Sequence, residues 1–235
     1  MDFEVCIDSV EGALAAEKYG AKRVELCAAL NEGGLTPSVG MIEACVNATK
    51  QTEVHVMLRP RSGDFTYTID EIKLMERDLL AAKQVGAAGV VFGILNKMQK
   101  IDLQTNMYLL EKAFELQLST TFHRAVDVTK NPIDCLEDLI NLGFNRILTS
   151  GGEAKAADGI ETIRRMKNIA HDKIEIMAGS GVGLDQLPLF QSAGIDAIHF
   201  TAKKDMLNNL ALDMGPQYHI DENKIAAIAQ ALRKE

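Results

Sequence analysis

"KYGAKRVEL" (residues 18–26) reads as a helix end, a glycine, a short turn and a buried strand, and this pattern returns three times, as "QVGAAGVVF" (84–92), "NLGFNRILT" (141–149) and "SAGIDAIHF" (192–200). Gly20, Gly86, Gly143 and Gly194 fall where a helix closes in the left-handed conformation. The four copies predict strands near 23–28, 89–95, 146–151 and 197–201. Between them, "FEVCID" (3–8), "EVHVMLR" (53–59), "STTFHRA" (119–125) and "EIMAGS" (175–180) read as four more. A two-strand unit thus repeats four times. Amphipathic stretches such as "SVEGALAAEKYG" (9–20) fill the intervals. Strand then helix, eight times in 235 residues, is the arithmetic of an α/β single-domain (β/α)₈ TIM barrel, with the loop and helix of 203–235 closing it. A doubly wound open sheet would alternate in the same way. No GxGxxG follows the first strand, which favours the barrel and leaves no organic cofactor to expect.

The totals narrow the function classes. With 47% hydrophobic residues, five prolines and no low-complexity tract, one core suffices and no linker is evident. A net charge of -8 argues against nucleic acid or an anionic membrane as partner, because phosphate backbones attract positive surfaces. The opening "MDFEVCIDSV" lacks a basic leader and no apolar run approaches spanning length, so a cytoplasmic location is expected. Cys6, Cys27, Cys45 and Cys135 show no CxxC spacing and are expected as thiols. An acidic barrel of this class is expected to assemble as a homodimer or a larger homo-oligomer.

Alternation along the strands sorts their faces. Phe3, Val5 and Ile7 point to the helices, leaving Glu4, Cys6 and Asp8 inward; Val24 and Leu26 point out, leaving Glu25 and Cys27 inward. His55, Met57 and Arg59, Thr121 and His123, Glu175 and Met177, and His199 and Thr201 also point in. Barrel interiors are ordinarily filled by Val, Ile and Leu. A polar, sulfur-bearing interior is either a site or a set of internal ion pairs. The loop "NEGG" (31–34) follows strand 2 at the face where barrels carry chemistry, and Thr36-Pro37 reads as the start of the next helix.

Two further constellations sit at that face. "RPRSGDF" and "FHRAVD" place Arg59, Arg61, His123, Arg124 and Asp127 at the ends of strands 3 and 5. The arginines suit a carboxylate or phosphate, His123 an acid or base, and Glu25 or Asp127 its partner. The competing reading is an internal latch of mutually neutralising charges. Glycine runs "TSGG" (149–152) and "AGSGV" (178–182) nominate Ser150, Gly151, Gly179 and Gly181 as a phosphate cradle, although tight turns require glycine anyway.

"EVCIDS", "RVELCAALNEGGLTPS", "VMLRPRSGDFTY", "TFHRAVD", "ILTSGG" and "MAGSGV", in this order from strand 1 to about residue 201, resemble the CutC family, named for copper homeostasis. The resemblance implies a TIM barrel, a cytoplasmic and oligomeric copper-binding or copper-trafficking protein, and copper ligands at Cys6 and Cys27. Ser62 departs from the family's usual glycine, and Lys203 to Tyr218 is less family-like. Thiolates and thioethers suit Cu(I), with Met57 and His199 as additional inward donors, whereas a buried free cysteine is also simply a small hydrophobe. Two functions follow. One is Cu(I) binding through Cys6 and Cys27; the other is a lyase, isomerase or hydrolase acting on a small anionic or phosphorylated metabolite.

Overall fold

The computed structural model describes residues 1–206 and 217–233. Eight parallel strands close in chain order: β1 (Asp2–Ile7), β2 (Arg23–Leu26), β3 (Glu53–Met57), β4 (Gly89–Phe92), β5 (Ser119–Phe122), β6 (Arg146–Thr149), β7 (Glu175–Gly179) and β8 (Ala197–Thr201). β8 pairs back onto β1, which makes the sheet a closed barrel and excludes the open alternative. On the outside lie α1 (Val10–Tyr19), α2 (Val39–Ala48), α3 (Ile69–Gln84), α4 (Leu103–Glu115), α5 (Leu136–Leu142), α6 (Ile160–Ala170) and α7 (Leu187–Ser192), with α8 (Glu222–Leu232) against α1. An antiparallel pair, β9 (Lys203–Met206) and β10 (Gln217–Ile220), follows the barrel. Residues 207–216 of the expected closing segment lie outside the described residues. Among the described residues, no helix is long and apolar enough to cross a membrane.

Local signals behave as the residues dictate. Ser9 caps α1, accepting from Gly12 N at 3.2 Å, and Thr68 with Glu71 forms a capping box on α3. The four repeat glycines all have positive φ, from 67° to 94°. Two boundaries differ from expectation. The N-cap of α2 is Ser38, not Thr36, because Thr36 is engaged elsewhere: its Oγ1 accepts from Arg59 N at 2.9 Å and its N–H donates to Arg59 O at 3.0 Å. For the same reason β3 stops at Met57 rather than Arg59.

The helix-facing core is apolar, built from Val5, Ile7, Val24, Leu26, Val54 and Val56 and their counterparts around the barrel. Inside, register sets Glu4 beside Arg23 and His199, and Cys6 beside Glu25. A chain of charges runs up the axis. Arg146 meets Glu175 at 2.7 Å, Glu175 meets Arg23 at 2.7 Å, and Arg23 meets Glu4 at 3.1 Å. Glu4 in turn meets His199 Nδ1 at 2.8 Å. Arg23 and Glu4 are fully buried, so each is tolerated only because the other is present. Replacing Arg23 by Met removes the cation between Glu4 and Glu175 and leaves each with a single partner, and urea denaturation is expected to show a loss of about 3–5 kcal/mol. The double variant Arg23→Met/Glu4→Gln is expected to lose less than the two single losses added together.

Candidate functional site

The axial chain ends at the C-terminal mouth. His199 Nε2 stands 3.7 Å from Glu25 Oε2, and that carboxyl group lies between two thiols, 3.3 Å from Cys6 Sγ and 3.6 Å from Cys27 Sγ. Both sulfurs and a carboxyl oxygen of Glu25 lie within 4.8 Å of one another, all from buried residues. Met57 and Val91 pack against the same pair. Cys6 ends up here because β1 continues inward at every second residue. Cys27 lies one residue past β2, yet its N–H still donates to Ile7 O at 2.9 Å, which keeps the strand direction.

The "NEGG" loop explains its own glycines. A Cβ on Gly33 would stand 2.8 Å from Arg59 Nη1, and one on Gly34 would stand 3.1 Å from Cys27 Sγ. Both positions also have φ above 80°. The glycines let the loop fold down over the thiol while Arg59 reaches up to it. Arg59 Nη1 donates to the carbonyls of Gly33 and Gly34 at 3.0 and 3.3 Å, and Nη2 to Gly63 O at 2.9 Å. Its guanidinium lies over the Phe65 ring, 5.0 Å from the centroid.

Electrostatics divide the buried groups. A hydrogen bond from Cys27, with His199 assisting, pulls the Cys6 thiol down to about 5 against the opposing effect of burial. The same contact with Cys6, and then burial, push Cys27 well up. Burial raises Glu25 well above the carboxylate range despite His199. His199 itself is held protonated: burial opposes this, but Glu25, Cys6 and Glu4 outweigh it. Glu4 is correspondingly kept far below its usual value, since the hydrogen bond and charge of His199 overcome its burial. Glu4, Glu25 and His199 also converge within 4.8 Å. A metal there would have to displace the imidazolium proton, so this lower group acts as an ion pair.

A cavity of about 200 Å³ opens above the thiols, lined by Cys6, Glu25, Cys27, Arg59, His123 and Arg124 among others. The remaining candidates are placed differently. Arg61 turns outward, its Nε donating to Glu71 at 2.6 Å and its Nη2 to Asp64 at 2.9 Å, and it is not among the residues lining the cavity. Asp127, expected as an acid–base partner, anchors the loop after β6. It accepts from Arg124 Nε at 2.9 Å, from Ser150 N at 2.9 Å and from Gly152 N at 3.1 Å. The Ser150 N–H of the expected cradle is thus taken by the chain's own carboxylate, and the Gly151 N–H donates to Thr149 Oγ1 at 2.8 Å. Gly179 faces Leu148 and His199, and Gly181 faces Lys155; neither lines the cavity. Cys45 and Cys135 are buried away from the mouth. Missed in the sequence were Arg23 and Arg146, although Arg23 shares the inward parity of Glu25.

The CutC family model matches residues 1–204. The chain belongs to the CutC family. A CutC family protein of Bacteroides thetaiotaomicron is 46% identical over 226 residues, covering 94% of this chain and 90% of the relative. The human copper homeostasis protein cutC homolog is 43% identical over 201 residues, covering 85% of this chain and 72% of that protein. A crystal structure described as a copper homeostasis protein CutC from Streptococcus agalactiae superposes with TM-score 0.77 at 31% identity, covering 85% of this chain and 98% of that one.

In this CutC barrel His123 is buried and neutral. Burial, and then the neighbouring Arg59 charge, push its imidazole down to about 3. The unfolded chain, with a value near 6.5, therefore takes up this proton first as pH falls, and stability drops between about pH 6.5 and 3. Denaturation at pH 7 and pH 5 is expected to show an acid loss smaller by about 2 kcal/mol in His123→Phe than in the wild type.

Proposed function

We propose that this CutC family member is a cytosolic copper-binding protein that holds Cu(I) as cargo between Cys6 and Cys27. The supporting observation is the convergence of both sulfurs and a Glu25 oxygen within 4.8 Å. Two thiolates on one ion span at most about 4.6 Å when each metal–sulfur bond is about 2.3 Å, so the pair fits one ion with little movement. The donor set is soft: two thiols with the Met57 side chain packed beside them. His199 and Arg59 supply positive charge around an otherwise anionic dithiolate. The copper homeostasis name carried by the human relative agrees with this reading.

The alternative of an enzyme for a phosphorylated metabolite has less support. The backbone N–H groups of Ser150 and Gly152 that would cradle a phosphate already donate to Asp127. Copper release or transfer in this reading proceeds through the mouth, where Cys6, Cys27 and Met57 all line the one cavity.

An anaerobic Cu(I) titration against a strong competing chelator tests the proposal. One equivalent is expected to bind to the wild type, and the Cys6→Ser/Cys27→Ser variant is expected to lose at least a hundredfold in affinity while keeping its circular dichroism. Met57→Leu is expected to weaken binding by less than tenfold. Retention of tight binding without the two thiols would sink the assignment.

A further inference from the structure

We propose that the cavity over the thiol pair is also a binding site for a small monocarboxylate with an apolar body. His123 Nδ1 accepts the N–H of Ala125 at 3.2 Å, so the ring proton resides on Nε2. That Nε2 has no hydrogen-bond partner among the described residues, although His123 is only 4% exposed. Its ring lines the cavity and is held by Phe65, with ring centroids 4.8 Å apart. A buried N–H donor without an acceptor costs about 1–3 kcal/mol. A ligand oxygen in the cavity would remove that cost.

Arg59 supplies the charge. It is 6% exposed, its Nη atoms donate only to backbone carbonyls, and it forms no ion pair among the described residues. Its Nε is likewise without a partner. Buried cations are ordinarily neutralised by a facing anion. Arg124, by contrast, is already neutralised by Asp127 at 2.9 Å. One uncompensated cation and one neutral donor suit a monoanion rather than a phosphate dianion, and the phosphate cradle is occupied by Asp127. The cavity also has apolar lining, from Leu30, Met57, Phe65 and Leu148. A cavity of about 200 Å³ admits a ligand smaller than a typical drug. Carboxylate binding does not require copper, so the two readings fail separately.

The test is isothermal titration calorimetry of the reduced, metal-free full chain with sodium butyrate, neutral butyramide and inorganic phosphate at matched ionic strength. Saturable 1:1 butyrate binding is expected, with butyramide and phosphate each at least tenfold weaker. His123→Phe, which keeps the aromatic packing and removes the donor, is expected to weaken butyrate at least tenfold. The comparison of the three ligands on wild type needs no variant to fold. Absence of a saturable butyrate signal, butyramide or phosphate binding as tightly as butyrate, or an unchanged affinity in His123→Phe would each overturn the proposal.

Discussion

The fully buried ion pair between Arg23 and Glu4 is the constraint on which the rest of the interior depends. Through Glu175 it fixes Arg146 at the bottom of the barrel, and through His199 it sets the protonation of everything above. Measured against an apolar barrel core, such pairs add little net stability, because desolvation offsets the Coulomb attraction. What they provide is a fixed charge pattern. Glu25, Cys6 and Glu4 together keep His199 protonated, and the Cys27 hydrogen bond together with His199 keeps Cys6 easily ionised. A Val- or Leu-filled barrel would be at least as stable and would have no means to hold a thiolate at its mouth.

Above that axis, the mouth is organised by charges turned inward on the chain itself. Arg59 gathers carbonyls from the loops after β2 and β3, so that the glycine loop lies over Cys27. Asp127 does the mirror task on the other side, gathering N–H groups from the loop after β6. The two devices differ in what they leave over. Asp127 is neutralised by Arg124, while Arg59, fed only by dipoles, retains its charge at the edge of the cavity. Soft donors and polar donors line the same cavity.

This division reconciles two features that compete in a purely motif-based reading. The thiols and the arginine–histidine set are neighbours around one opening, and neither makes the other redundant. In the proposed copper function, metal affinity would reside in sulfur, where polarisability decides. Recognition of an organic anion resides in Arg59 and His123, where charge and an unspent proton decide. Their shared cavity also places any bound anion near the two thiols.

The repeat "KYGAKRVEL" and its three copies determined the alternation of strand and helix, because closing a helix with glycine and entering a strand are local events, governed by φ and by side-chain period, whereas closure into a barrel was decided by β8 pairing onto β1. Alternation likewise determined that Glu4, Cys6, Glu25, His123 and His199 face inward. Which inward groups touch was beyond the sequence. Ser150 and Gly151 carry the same letters whether their loop waits for a phosphate or receives Asp127, and Arg61 and Arg59, two residues apart, read alike until the loop after β3 turns one out and one in. Cys6 and Cys27 share an ion-sized space only because the barrel closes at the register that sets Cys6 beside Glu25. Hydrogen-bond partners across a barrel are chosen by stagger and by competition among buried charges, and both are properties of the assembled sheet rather than of any one strand.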